Sequence, residues 1–357
     1  MPPPKLTLLR ETFRRVSRFA IQLGLLAAFL GVAAFKPVAS AAEPPAIIRV
    51  GIIGLDAHAV PWTRILTAPG LKPPLSTLRI VAAVATPSPD IPFSRDNNQT
   101  NTAIMRELGV EICRSIEELL TKVDAVLVLS IDGRPHHDQA RPVFRSHKPV
   151  FIDKPVAASL ADAIALFQDA EANGTPCFSN SALRYGPATV AVTADGKLGR
   201  VLGCATYSSS QSILPGHPDL FYYGIHGTDL LFTLMGPGCQ SVRRVKTPTA
   251  DVVTGVWADG RAGTYRGILQ GAVGFGATAF CEKGVADVGR FEGYEPLIAE
   301  IARFFATGKA PVSVDQTLEI YAFLEAADES ARHDGAPVLL ADILARARQQ
   351  AAGRAGR

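Results

Sequence analysis

Few of the groups that mark a metal protein or a disulfide-framed domain are present in this sequence. Its 357 residues include only five cysteines, at 113, 177, 204, 239 and 281. The count is odd, the spacings are wide and no C-x-x-C pair occurs, so neither a zinc site nor a disulfide framework is indicated. No metal is expected; one or two bridges stay open for an exported chain. Charge is sparse: Asp, Glu, Lys and Arg make up 19% of residues, and the formal net charge is +3. Much of that excess lies in the N-terminus and in the tail ILARARQQAAGRAGR. No basic stripe with interleaved aromatics is visible, which argues against a nucleic-acid partner. No internal repeat is visible either. What is plentiful is apolar residues, 47% of the chain, enough for a sizeable core; the length points to two domains.

The first forty residues read as an export signal rather than as part of the fold. MPPPKLTLLRETFRRVSRF has one acid, FAIQLGLLAAFLGVAAF is apolar over residues 19–35, and KPVASAAEPP offers small residues at Ala39 and Ala41 or at Ser40 and Ala42. That is the order of a secretory signal. Arg14-Arg15 points to the twin-arginine route, although Val16-Ser17 depart from its usual apolar follow-on. The expectation is a signal over 1–42 and a periplasmic or extracytoplasmic protein. An uncleaved anchor is the alternative, and the only membrane contact foreseen.

From residue 47 the pattern alternates. AIIRVGIIG, LRIVAAVA (78–85), VDAVLVLS (123–130) and KPVFIDKP (148–155) are short, continuous apolar runs, as strands buried on both faces read. Helical stretches separate them: one ends at Gly109, SIEELL opens on a Ser115–Glu118 capping box, and another is capped by Ser159. This rhythm predicts a Rossmann-like, doubly wound parallel sheet over 47–175. Beyond it the runs alternate and carry Asp259-Gly260, a hairpin signal. A C-terminal α+β domain with a mainly antiparallel sheet is expected over 176–340, then a basic tail over 341–357.

Two segments could carry chemistry. Lys154, in FIDKPVA, stands at the end of a buried strand, where open parallel sheets bind ligands. Taken alone it reads equally well as a solvated loop lysine. In YYGIHGTDLLFTLMG, His226 and Asp229 are three apart at the start of a helix read over 229–235; the histidine is an acid/base candidate, although taken alone the segment slightly favours a structural histidine.

With GIIG (51–54), VDAVLVLS and the His136-His137 loop, DKPVA (153–157), SALRYGPA (181–188), GIHGTD (224–229) and PVSVDQTLEIYAFLEAADES, the chain resembles the Gfo/Idh/MocA oxidoreductases over roughly residues 47–340. The resemblance implies NAD or NADP as cofactor and hydride transfer on a sugar, polyol or related substrate. It places Lys154 and His226 as the catalytic pair. It puts the cofactor against Gly51, Ile53, Gly54, Leu55, Asp56, His58, Lys154 and Pro155, and the substrate against Lys154, Arg184, Tyr222, His226 and Asp229, with a packing role equally open for Arg184. Many relatives pair subunits through the second sheet, which implies a homodimer or homotetramer.

The chain departs from that family in three places. An aspartate often precedes the histidine by four residues; here Tyr222 stands there, with Asp219 a distant stand-in. An acid often follows the second strand to hold the ribose; here Ala85, Thr86 and Ser88 follow, with Asp90 the nearest acid and Arg95 the first arginine. Asp56 replaces the second glycine of the phosphate loop. A carboxylate about 4 Å from a phosphate costs roughly 4 kcal/mol at an effective dielectric of about 20, on the order of a thousand-fold in affinity. Asp56 turned outward, or capping the helix, would cost little. Pro61 favours a late helix start, because with His58 as the cap it falls third, inside the tolerated first turn. Three functions follow: an exported oxidoreductase, a carbohydrate-binding protein on the same fold without turnover, or a lyase or hydrolase that retains its cofactor.

Overall fold

The computed structural model describes residues 46–355; the export signal expected over 1–42 lies outside them. The four apolar runs form β1 (Ile48–Ile53), β2 (Leu78–Val84), β4 (Ala125–Val128) and β5 (Val150–Ile152). Two strands too short to show a pattern, β3 (Glu111–Ile112) and β6 (Cys177–Phe178), complete an all-parallel sheet in the order β3-β2-β1-β4-β5-β6. The order reverses between β1 and β4, so the ligand crevice of such a sheet lies at their carboxyl ends. Helices α1 (Ala59–Thr67), α2 (Pro92–Glu107), α3 (Ile116–Leu120), α4 (His136–Arg145) and α5 (Leu160–Ala172) connect the strands. Ser115 and Ser159 cap α3 and α5 through the amides of Glu118 and Asp162. The late start of α1 is borne out: His58 is its N-cap and Pro61 falls third.

After α6 (Pro187–Ala194) the chain builds a second sheet from β7 (Val201–Ser209), β8 (Cys239–Lys246), β9 (Ala250–Trp257), β10 (Ala262–Ile268), β11 (Gly276–Cys281), β12 (Gly284–Val288) and β13 (Val338–Leu339). Its order is β12-β11-β7-β10-β9-β8-β13, antiparallel except for the β7–β10 pair. Asp259-Gly260 turns β9 into β10 as expected, with Gly260 at φ 83°. Helices α7 (Gly224–Met235) and α9 (Val314–Arg332) pack against this sheet, and α7 starts five residues before the stretch read as helical.

Two features of the C-terminal half differ from the sequence reading. Helix α8 (Glu295–Thr307) buries Leu297, Ile298, Ile301 and Phe304 among β1, β4 and α1 residues, so it belongs to the core of the first sheet. The stretch set apart as a basic tail forms α10 (Leu340–Ala355), whose Ile343, Ala347 and Ala351 are buried and which packs on α5 and α9. Arg346 and Arg348 flank that stripe and are exposed, which disguises it in the sequence. All five cysteines are free thiols.

Gly54 fixes the turn out of β1. Its φ is 86°, and a Cβ there would meet the Ser130 backbone nitrogen at 2.5 Å. Gly51 instead serves packing, since a Cβ on it would meet Leu119. We therefore expect Gly54→Ala to lower the unfolding free energy by about 3 kcal/mol, from backbone strain plus overlap. Urea unfolding checks this, and an unchanged midpoint refutes it.

Candidate functional site

Beyond Gly54 the chain does not build an open phosphate cradle. The Leu55 amide donates to Asn98 Oδ1 at 2.9 Å, and Asn101 Nδ2 donates to the carbonyls of Leu55 and Asp56. Asp56 is fully buried and turned inward. Its Oδ2 accepts from the Ile131 amide at 3.0 Å and from Ser94 Oγ at 3.1 Å, and its Oδ1 has no partner. Ile131 lies just past β4, so this carboxylate spans the sheet's switch point. The inward orientation is thus the one found. Ser94, Asn98 and Asn101 sit at i, i+4 and i+7 on one face of α2. That polar stripe went unread in the sequence, although its spacing is legible there. A dinucleotide's pyrophosphate does not fit: the second-glycine position holds a buried carboxylate, and the Leu55 and Ile131 amides are already engaged.

Burial pushes the Asp56 carboxyl up to about 6, against the bonds from Ile131, Ser94 and Asn98 that favour the anion. A raised carboxyl contributes stability that is present below about pH 4 and lost as pH rises through about 6.

Past this plug the side chains converge. His58 projects from the start of α1 to Asp153, Nδ1 to Oδ2 at 2.5 Å. Its ring stacks on Trp62 at 5.3 Å and meets Tyr294 edge-on at 5.0 Å. Asp153 also accepts the Lys154 amide at 2.8 Å. Burial alone would raise the Asp153 carboxyl, but His58 and Lys154 outweigh it and hold the group below its ordinary value. Lys154 is buried, its ammonium 5.2 Å and 5.4 Å from the ring centres of Tyr222 and Tyr223. Burial lowers its pKa, partly offset by Asp153.

His226, in the first turn of α7, holds Ser181 Oγ at 2.7 Å through Nδ1. Burial, then the nearby Lys154 charge, drives its pKa well below the ordinary value, so it is neutral near pH 7. His58, Asp153, Lys154, Ser181, Tyr223 and His226 line one cavity of about 170 Å³, closed by Trp62, Tyr294, Phe275 and Phe291.

Of the residues predicted for the site, the structure brings His58, Lys154 and His226 to this cavity. Asp229 and Arg184 pair with each other, and Asp229 also accepts the Ser181 amide at 2.5 Å, so the pair braces Ser181 from outside the cavity. Tyr222 packs with Ile91, Ile131 and Leu214 behind Lys154, and Tyr223 takes the wall position. Asp219 is no stand-in for the missing acid: Arg244 and Lys246 bind it outside the cavity. Ile53 and Leu55 are core residues, and the Pro155 carbonyl abuts Gly133. Asp153, Ser181, Phe291 and Tyr294 were missed. Asp153 stood in the quoted DKP motif, whereas Tyr294 carried no local signal.

Residues 48–181 match the family described as "Oxidoreductase family, NAD-binding Rossmann fold", the Gfo/Idh/MocA family named by the motifs. No curated protein matches the sequence. Among solved structures, myo-inositol 2-dehydrogenase from Lactobacillus plantarum is similar at 16% identity and TM-score 0.67, covering 82% of this chain and 99% of its own. The myo-inositol dehydrogenase from Lactobacillus casei, solved with NAD(H) and myo-inositol, gives 16% and 0.66 over 82% and 96%. The scyllo-inositol dehydrogenase of the same organism gives 16% and 0.63 over 83% and 99%. At these identities the likeness shows the shared fold.

The Asp56 environment makes a pH prediction. Asp56→Asn keeps the shape but cannot titrate, so the variant gains on the parent as pH rises from 4 to 7. The gain expected is roughly 3 kcal/mol, because each tenfold change in a carboxyl's proton affinity on folding is worth about 1.4 kcal/mol. Urea unfolding of both proteins at several pH values reads this; parallel curves refute it.

Proposed function

We propose that this chain binds one small polyhydroxylated molecule, a sugar or polyol derivative, in the His58–Lys154–His226 cavity and acts on it by proton transfer. The observation that carries the reading is the convergence of a buried ammonium and two imidazoles on one enclosed space at the ends of the parallel strands. In the tautomer whose Nδ1–H donates to Ser181, His226 keeps Nε2 as an acceptor; His58 does the same against Asp153. The neutral His226 imidazole can take a proton from a carbon beside a carbonyl, and the Lys154 ammonium can hold the enolate oxygen that forms. The aromatic wall suits the C–H faces of a ring, and the polar groups suit its hydroxyls.

A cavity of about 170 Å³ suits a small ligand rather than a chain or a large cofactor. The inositol ligands of the similar structures are of this class. Hydride transfer to a nicotinamide, the family's reaction, needs a pyrophosphate cradle whose place Asp56 takes, so the proposed chemistry is redox-neutral.

Thermal denaturation with inositols, hexoses and their keto derivatives tests the reading. A ligand at ~100 times its Kd stabilises by about 2.7 kcal/mol, a shift of several degrees for a chain of this size. Lys154→Met should weaken that binding at least tenfold, about 1.4 kcal/mol. If no compound of the panel moves the melting temperature, the reading fails.

A further inference from the structure

We propose that this chain has replaced its dinucleotide with its own side chains: the whole cofactor crevice, from the adenosine end to the nicotinamide end, is latched shut by internal bonds. The redox-neutral chemistry proposed above depends on this exclusion; the exclusion itself stands on the crevice.

At the adenosine end, the loop after β2 is tied to the loop after β4. Ser88 Oγ donates to Asp132 Oδ2 at 2.6 Å in a buried contact. Arg134 clamps Asp90 with two bonds, 2.7 Å and 2.8 Å, while its Nε holds Asp132 at 3.0 Å. Gln139 joins Ser130 to Thr86, at 2.9 Å and 3.0 Å. Because β1 lies between β2 and β4, these bonds cross over the β1 turn, where an adenosine ribose would enter. The acid that would hold a ribose in relatives is absent, and Asp90, the nearest one, is committed to Arg134.

At the centre, the Asp56 carboxylate takes the place of an anion. It accepts the Ile131 amide, and Ser94 supplies a second donor. A bound pyrophosphate would draw on backbone amides in the same way. Over this plug lies a small apolar cluster of Ile91, Ile131, Leu214 and Tyr222, gathered from three loops. His217 fastens the last of these loops, accepting the Gly133 amide at 3.0 Å.

At the nicotinamide end, His58 fills the start of α1 and the cavity beyond holds about 170 Å³. The His58 ring is held there by Asp153 at 2.5 Å and by the Trp62 stack. Each part of a dinucleotide therefore meets a side chain that already makes its contacts.

The test is direct titration of the purified chain with NAD, NADH, NADP and NADPH, by calorimetry and by nicotinamide fluorescence, with mass analysis of any nucleotide that co-purifies. The expected result is no binding at millimolar nucleotide and none co-purifying. A Kd below about 0.1 mM for any of the four, or stoichiometric nucleotide in the purified protein, overturns the proposal. Asp56→Gly restores the family's glycine and is expected to melt several degrees lower, because the Ile131 amide and Ser94 lose their acceptor. An unchanged melting temperature for that variant shows that Asp56 is no latch and also overturns it. Sugar and polyol shifts measured on the same preparation keep the two readings apart: their failure removes the substrate class and leaves the exclusion standing.

Discussion

The bond from the Ile131 amide to the Asp56 carboxylate is the constraint around which this molecule is arranged. A parallel sheet whose order reverses leaves a crevice at the reversal, and something must satisfy the polar groups that line it. In a dinucleotide-binding domain the ligand does so. Here a side chain does, and burying a carboxylate is expensive unless donors surround it. The supply of donors then dictates the neighbourhood: Ser94 and Asn98 must face inward from α2, and the loops after β2 and β4 must come together above. The orphaned Oδ1 and the raised carboxyl pKa show that the compensation is incomplete. Such residual cost is common where a fold is held in one state for function rather than for stability.

Asp153 organises the other half of the crevice. One of its oxygens meets the His58 ring and the other meets the Lys154 backbone, so the dyad and the ammonium share a single anchor. The electrostatics are self-consistent. Lys154 stands beside two tyrosine ring faces, which stabilise a cation even when it is desolvated. Its charge in turn presses His226 toward the neutral form. A cation beside a neutral His226 is what proton transfer at neutral pH requires.

Much of the architecture was legible because strands buried on both faces leave continuous apolar runs, and because serine caps and the Asp-Gly turn act locally. β3 and β6 were invisible, since two residues carry no period. The helical tail was missed because its arginines and glutamines alternate with a narrow alanine stripe. At the site, Lys154 and His226 were found through motifs. The partnership of His58 with Asp153 was not, for the two are 95 residues apart and only the sheet brings them together. The Arg184–Asp229 pair shows the converse: Asp229, read as ligand-binding, and Arg184, read as a ligand or packing residue, satisfy each other and brace Ser181, and through it His226.

The two halves of the crevice constrain one another. A nicotinamide would have to enter past the wall around His58. The wall that would have to move includes His58, fixed by Asp153 and by the Trp62 stack, and Tyr294, carried by the start of α8, whose apolar face is sunk in the core of the first sheet. Widening the nicotinamide end therefore means unpacking a core helix, while opening the adenosine end means breaking the Arg134 clamp and the Ser88–Asp132 bond together. The Arg134–Asp90 pair is exposed and contributes little by itself, so the buried Ser88–Asp132 bond and the packed wall carry most of the cost. The Asp56 plug, the His58 entry to α1 and the bonds over β1 thus engage successive parts of one crevice, each through its own partners.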